Sequence, residues 1–520
     1  MKIVLYYLVL IISFPINAQI IYFDNQYDYL HRPESPLDIC RLDGSYLLGG
    51  GEALNGNIVN NSFYFVKIDS AGNLLQQKSI GAGQNKSATI RYIFKKENDS
   101  LFVQGTRSIF GQNYDTQIFL AEINNETLDT IWTKDYGNTS LLEGTGKAIK
   151  TADGGFAVTG WVFSDNYNTR IYLMKMDSVG NLEYYKHYTP NSNITHEGMS
   201  LVQTIDGGFL MLGFRRYWDY YKGDDILIDD KLLLKVDAQG EQEWIQFYPS
   251  EPDSLIKSNF HKWIIGLEDG NYLSGGRIVH FKEDFVAATD FREYSLTKYN
   301  PEGEVIWDKT YGNNFGMYSD EGIVTSSGNI VFVGYEIDPL FPGSGRRQYG
   351  LMASTDSVGE LLWLRKYYSA PADVAIDFFH AVTEAPDGGY VACGDSFGPW
   401  ADSTYQNVWV IKTDSIGCLE PFCDSIFTAV EEPFPLISEA ALRIYPNPTT
   451  DQLTIDTGEA HTLLGIQIFD SSGKRVEDIQ FFRAHHLHSH TLSIAQFPAG
   501  MYFVNVRTEK GWWSGKVVKL

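Results

Sequence analysis

The sequence holds 520 residues with a formal net charge of −24 at neutral pH. That balance disfavours nucleic acid and anionic membrane as partners, because their phosphates would be repelled. Aromatic residues make up 14% of the chain, with 32 Tyr, 31 Phe and 48 Gly, which points to strands and tight turns rather than helices.

The chain opens Met1-Lys2, runs apolar from Ile3 to Phe14, and continues Pro15-Ile16-Asn17-Ala18-Gln19. A cation, a short apolar core and a small residue before a polar one describe a secretory signal peptide over 1–18, with cleavage expected after Ala18. The run is too short to span a bilayer, and no later stretch approaches ~18 uninterrupted apolar residues, so no transmembrane helix is expected. The chain has four cysteines, Cys40, Cys393, Cys418 and Cys423. An exported chain permits disulfides; Cys418 and Cys423 could close a short loop and are the favoured pair, whereas Cys40 and Cys393 read as buried free thiols.

Residues 19–423 are built from one repeat. The clearest unit runs from Lys147 through Asp153-Gly154-Gly155-Phe156 to Gly160, then from Ile171 through Asp177-Ser178-Val179-Gly180 to Tyr185. Its first turn recurs at Asp43, Asp99, Asp153, Asp206, Asp269, Ser327 and Asp387, at intervals of 56, 54, 53, 63, 58 and 60 residues. A second turn follows at Asp69, Asp177, Asp237, Asn300, Asp356 and Asp414, each three residues before a Gly, and is degenerate at Asn124. Four residues past the turn Gly stands Tyr184, Trp244, Trp307 or Trp363, with Trp132 in the like place of the second unit. Each unit reads as four short strands joined by Asp-Gly turns, which supply the positive φ of tight hairpins. Such a unit cannot bury both faces alone, and radial stacking solves that problem, so a seven-bladed β-propeller is expected. The seventh unit stops at Cys418–Cys423, and strand-like Ile20–Tyr29 precedes the first. The N-terminal strand is therefore expected to complete blade seven and protect an open edge. An open solenoid or a pair of sandwiches is the alternative.

Residues 424–440 carry acidic and proline residues and read as a linker. From 441 onward come Leu442-Arg443-Ile444-Tyr445-Pro446-Asn447-Pro448, then Asp470-Ser471-Ser472-Gly473-Lys474, then Gly500-Met501-Tyr502, and finally Lys516-Val517-Val518-Lys519. Alternating apolar residues between Pro and Gly punctuation predict a small antiparallel β-sandwich over 441–520. Those words in that order resemble the type A C-terminal sorting domain of the type IX secretion system. The resemblance implies that the chain is cargo of the type IX export machinery, secreted or held at the outer-membrane cell surface. The repeats resemble, more loosely, the Asp-Gly-Gly-type propeller repeats of such cargo, which implies no activity.

Several local patterns invite chemistry. Gly394-Asp395-Ser396-Phe397-Gly398 satisfies Gly-x-Ser-x-Gly, but it ends a strand with no helical pattern after it, and a nucleophile elbow needs strand–turn–helix. His485, His486, His488 and His490 crowd one segment; a solvated hairpin is favoured over a metal site. Asp224, Asp225, Asp229 and Asp230 are read as a solvated acidic loop. They lack the order of a dedicated calcium loop, so no cofactor is expected and calcium is only a weak alternative. The Asp-Ser-x-Gly turns depart from sialidase-type Asp boxes in spacing, and read as hairpins whose Asp side chains bond nearby N–H groups. Asp69-Ser70-Ala71, Asp177-Ser178-Val179 and Asp414-Ser415-Ile416 also resemble O-glycosylation sites of the bacterial group that uses this export route.

The Asp-Gly turns are short and uniform, while the connections between second and third strands are long and varied, and binding concentrates on such loops. They carry Trp161 and Phe163, then Arg215, Arg216, Tyr217 and Trp218, then Arg277 and His280, then Tyr335, then Trp400. Aromatics and Arg around a concavity suit an extracellular glycan or protein ligand, although the same rings could be packing at blade edges. The leading expectation is a non-enzymatic binding or adhesion protein; the rival is a glycan-active propeller enzyme, hydrolase or lyase, with carboxylates converging from separate blades.

Overall fold

The computed structural model describes residues 21–28, 34–53, 61–80, 86–96, 98–109, 115–137, 142–163, 168–189, 194–221, 224–249, 256–280, 291–311, 317–337, 348–369, 376–397, 406–420, 443–457, 463–470, 475–480, 488–508 and 511–520. The signal-peptide segment and the linker lie outside these. The described residues are all-β, and the chain divides into two compact units, 1–424 and 425–520.

The first unit is a β-propeller of seven four-stranded antiparallel blades. The inner strands are Glu34–Leu42, Lys86–Lys95, Glu143–Lys150, Thr195–Gln203, Ile256–Gly266, Met317–Val324 and Ile376–Glu384. Single parallel pairings, Asp229 with Ser258 and Gln348 with Ile376, link blade four to five and blade six to seven. Blade seven takes its fourth strand from the N-terminus: Phe23–Tyr27 pairs antiparallel with Asn407–Thr413, Phe23 opposite Lys412 and Tyr27 opposite Val408.

The packing explains why the repeat closes. Each apolar cluster of the propeller lies between two neighbouring blades, such as Leu173 against Leu232 and Met211 between blades three and four. The cluster holding Phe23, Tyr27, Val408 and Val410 with Tyr46, Leu48 and Tyr64 joins blade seven to blade one. A blade is thus apolar on both faces and stable only between neighbours. The third-to-fourth turns hold themselves: Asp177 Oδ1 accepts from the N–H of Val179 at 3.0 Å and of Asn181 at 2.7 Å, while Gly180 takes φ +77°.

One expectation is corrected. Asp224–Val236 is a strand, paired along its length with Phe209–Tyr221, so Asp224, Asp225, Asp229 and Asp230 lie on a strand and not in a loop. Asp229 and Asp230 are buried, and Arg216 and Arg215 neutralise them at 2.6 and 2.8 Å. Burial of a carboxylate is tolerated because a cation sits against it.

Two sheets make up the second unit, with strands Arg443–Tyr445, Gln452–Asp456 and Ser489–Ser493 in one, and Arg475–Gln480, Leu463–Asp470, Gly500–Thr508 and Gly511–Lys519 in the other. Leu453, Ile455, Ile466, Ile468, Val504 and Val506 form its core. His485 and His486 lie outside the described residues; His490 sits in a strand opposite Ile455. Asn447 reaches the last strand, its Nδ2 donating to the Lys516 carbonyl at 2.8 Å and its Oδ1 accepting from Val518 N–H at 2.9 Å. Tyr502 Oη donates to the Pro498 carbonyl at 2.7 Å, and Lys519 is buried. Gly473 and Lys474 lie outside the described residues.

Candidate functional site

In all seven blades the inner strand slips register against the second strand near its middle, accommodating extra residues in a β-bulge, and blade five slips a second time at Lys257. A bulge bends the strand and re-aims the side chain it carries. The residues left out of the pairing at the seven mid-strand bulges are Leu37, Arg91, Gly146 with Lys147, Met199, Lys262, Asp320 and His380. Opposite each bulge stands a glycine, Gly50, Gly105, Gly160, Gly213, Gly276, Gly334 or Gly394, where a Cβ would lie 1.7–2.3 Å from an inner-strand carbonyl oxygen. Gly394 therefore belongs to a bulge and not to a nucleophile elbow. Ser396 is fully buried in a strand and hydrogen-bonds Ser369.

The bulges converge. Leu37, Arg91, Lys147, Lys262, Asp320 and His380 line one axial cavity of about 50 Å³ with Tyr92, Trp263 and Glu321. Lys147 pairs with Glu321 at 3.3 Å and Lys262 with Asp320 at 2.7 Å. His380 bridges two carboxylates, Nδ1 at 2.8 Å from Asp320 and Nε2 at 3.0 Å from Asp395. Burial opposes charge on this imidazole, but Asp395 and the hydrogen bond to Asp320 overcome it and push its pKa up to about 9. It is therefore an imidazolium at neutral pH. Burial likewise opposes charge on Asp320, yet Lys262 and His380 hold its carboxyl well below the usual range. Asp38, next to Leu37 on the inner strand of blade one, is driven the other way: burial and then Glu321 push it up to about 8.

A larger cavity of about 520 Å³ opens on the face where inner strands begin and second strands end, across blades five to seven. It shares Lys262, Asp320 and His380 with the axial ring, and adds Arg277, Ser319, Asp395 and Gln406. Its apolar walls are Phe260, Tyr318, Tyr335, Phe378 and Phe397, each half-buried. Tyr318 stacks on Tyr335 with centroids 4.3 Å apart, and Phe378 meets Tyr335 edge-on at 4.7 Å. The Arg277 guanidinium lies 4.7 Å from the Tyr318 ring and 5.2 Å from Phe260. Ser35 Oγ of blade one and Gln406 Nε2 both donate to Asp395 Oδ2, fixing that carboxylate in place.

The expected second-to-third-strand residues fall into three groups. Arg277 and Tyr335 line the large cavity. Trp161 and Phe163 pack edge to face at 5.4 Å in blade three, and Arg215, Arg216 and Tyr217 are spent on Asp230 and Asp229. Trp218 is 68% exposed on the blade-four hairpin. His280 ends its strand with its side chain outside the described residues, as is Trp400 altogether. Sequence reasoning missed Phe260, Lys262, Tyr318, Asp320, Phe378, His380, Asp395 and Phe397. A signal existed for three of them: Lys262, Asp320 and His380 each stand seven residues before the first-turn residue Asp269, Ser327 or Asp387.

Cys418 is disulfide-bonded, Cys40 and Cys393 are free thiols, with Cys393 buried as expected but Cys40 only half-buried, and Cys423 lies outside the described residues. Among the described residues no cluster of three His, Cys, Asp or Glu side chains is arranged to hold a metal ion, and no helix is long and apolar enough to cross a membrane.

No curated protein matches this chain. Solved structures similar to it include the α-L-arabinofuranosidase Arb93A from Fusarium graminearum, at 10% identity over 62% of this chain and 91% of that one, with a TM-score of 0.39. Another is the β-propeller domain of the Trilobed protease from Pyrococcus furiosus, at 10% identity, 72% and 95% coverage and a TM-score of 0.37. A protein of unknown function from Dyadobacter fermentans aligns at 8% identity, 74% and 97% coverage and a TM-score of 0.34. At such identities no activity passes to this chain. Residues 443–520 match the family described as the secretion system C-terminal sorting domain, and that domain marks the chain for type IX export, to be secreted or held at the cell surface.

Proposed function

We propose that the propeller is an exported glycan-binding module whose ligand occupies the cavity of blades five to seven. The observation that carries this reading is the cavity itself: five half-buried rings around a floor of fixed polar groups, in about 520 Å³. Rings offer flat apolar faces to a sugar, while hydrogen-bonding groups fix its hydroxyls. The volume lies within the range of small-ligand sites.

A catalytic reading has one specific support, the pair Asp320 and Asp395 on either side of His380. Two carboxylates in one cavity are what glycosidic chemistry uses. Against it, Asp320 is held ionised by Lys262 and His380 and is no proton donor, and both imidazole nitrogens are engaged with carboxylates. Binding without turnover is the favoured reading.

A glycan array probed with the full exported chain, followed by a reducing-end assay on every hit, separates the two. Binding with no new reducing ends, weakened at least tenfold by Tyr318→Ala or Phe378→Ala, supports a binding module. New reducing ends lost in Asp320→Asn would replace it with the enzyme, and a chain that retains no glycan would refute both.

A further inference from the structure

We infer that the ligand is an anionic oligosaccharide, one of whose acidic groups pairs with Arg277 in the large cavity. This rests on the glycan-binding reading and deepens it.

The first observation is that no carboxylate among the described residues forms an ion pair with Arg277; Asp229 and Asp320 act on it only from farther off. Its guanidinium lies over the rings of Phe260 and Tyr318, and its Nε is buried with no hydrogen-bond partner among the described residues. Burial works against its charge and pulls its pKa down. The comparable arginines on the neighbouring second strand, Arg215 and Arg216, are each matched by a carboxylate at 2.8 and 2.6 Å. Leaving a half-buried guanidinium with its Nε unpaired costs stability unless something beyond the described residues completes it. An anion is the partner a guanidinium fork is shaped for.

The second observation is the local balance of charge. Lys262, Arg277 and His380 face Asp320 and Asp395 in the large cavity. The axial ring beneath adds Arg91 and Lys147 against Glu321. Among the described residues lining the two cavities, five cations therefore face three carboxylates, inside a chain whose net charge is −24. The two carboxylates of the large cavity are already engaged, Asp320 by Lys262 and both by His380. The surplus positive charge is Arg277 above and Arg91 below. A concave, low-dielectric site concentrates that surplus.

The test uses the full exported chain and three matched probes: galacturonate oligomers, the same oligomers methyl-esterified so that shape is kept and charge removed, and a sulfated oligosaccharide of equal length. Binding is measured by calorimetry at two salt concentrations. The expected result is that an acidic oligomer binds at least tenfold more tightly than the ester, that salt erodes the difference, and that Arg277→Gln abolishes it. Arg277→Lys keeps the charge and should retain part of the preference, which separates loss of the anchor from loss of the fold. Whichever acidic probe binds identifies carboxylate or sulfate as the group. If acid and ester bind alike and Tyr318→Ala weakens both, the glycan site stands and the anionic ligand is refuted. If no oligosaccharide binds, both fall.

Discussion

The phenol of Tyr27 donates a 2.6 Å hydrogen bond to the carbonyl of Gly72, joining the last strand of blade seven to the outer turn of blade one. The same bond recurs around the ring, from Tyr188 to Gly240, Tyr311 to Gly359 and Tyr367 to Gly417 at 2.7 Å, and from Tyr136 to Gly180 and Tyr248 to Gly303. The seventh interface is the exception: blade one ends on Ile80 where the others carry Tyr, and faces the turn of blade two that lacks its glycine. There Lys78 reaches across instead, to Asp129 at 2.5 Å and the Thr127 carbonyl at 2.8 Å. Tyrosine and turn glycine are lost together because each is half of one contact.

Removing that contact at the closure should cost little, and removing the strand a great deal. Tyr27→Phe forfeits the bond to Gly72 and the 3.2 Å bond that its hydroxyl accepts from Asn25 Nδ2, about 1–2 kcal/mol together, while Asn25 Nδ2 still donates to the Gly72 carbonyl at 2.9 Å. Deleting residues 21–28 uncovers the edge of Asn407–Thr413, strips the Trp409 indole of its 2.7 Å bond to Asp24, and leaves an aggregation-prone strand. Denaturant titration should show a small shift for Tyr27→Phe and loss of cooperative unfolding for the deletion. Equal effects would mean that the strand does not close the ring.

The bulge glycines should be far less replaceable than the turn glycines of the same blade. In Gly334→Ala the new Cβ would stand 1.7 Å from the Tyr318 carbonyl oxygen, a backbone atom that cannot swing away. Gly328 has φ +82° and nothing within 4 Å of its Cβ position, so Gly328→Ala meets only backbone strain of ~1–2 kcal/mol. Gly334→Ala should cost more than ~3 kcal/mol, and should distort Tyr318 and Asp320 enough to abolish ligand binding in any chain that still folds. Comparable stability for the two variants would show that the bulge is not rigid.

What is legible in the sequence and what is not divide along a physical line. Repeat number, turns and closure are local or periodic. Phe23 and Tyr27 have the four-residue spacing of Trp244 and Tyr248 or of Trp363 and Tyr367, and that spacing alone marks the N-terminal strand as a fourth strand. Lys262, Asp320 and His380 are also in register with one another, but alternation along a strand would not aim them at the axis. The bulge does that, and it leaves only a glycine on the neighbouring strand as its trace. The cavity is harder still, since Arg277, Phe378 and Gln406 meet through the curvature of the ring and share no sequence spacing.

Alkaline pH should loosen the axial network through His380. Its folded pKa of about 9 lies above the ordinary 6.5. The stabilisation is therefore fully present below about pH 6.5, is lost as pH rises through about 9, and amounts to something on the order of 3 kcal/mol. Asp38, Lys231 and His196 also titrate with shifted pKa values, so the useful quantity is the difference between the wild-type profile and that of His380→Gln. Denaturation midpoints should diverge at pH 6 and converge near pH 10. A difference that does not change with pH would mean that the imidazolium is not what holds Asp320 and Asp395 together.

The two ends of the sorting domain form one structural unit, which makes Asn447 a lever on export. Its side chain bonds the backbone of Lys516 and Val518, and next to it Thr449 N–H donates to the Val518 carbonyl and Leu520 N–H to the Thr449 carbonyl, both at 2.9 Å. The Tyr-Pro-Asn-Pro segment thus pins the final strand, so that the terminal Lys-Val-Val-Lys is presented as ordered structure and not as a loose tail. Asn447→Ala removes two bonds worth about 1–2 kcal/mol together and should free the last strand from its neighbour. Thr491→Ala, which gives up only an exposed contact with Thr454, serves as the matched control. Fractionating cells that produce each variant should find the Asn447→Ala chain retained inside the outer membrane several-fold more than wild type, with Thr491→Ala exported normally. Normal export of Asn447→Ala, alongside a measured loss of sorting-domain stability, would show that the machinery reads the motif residues themselves and is indifferent to how they are held.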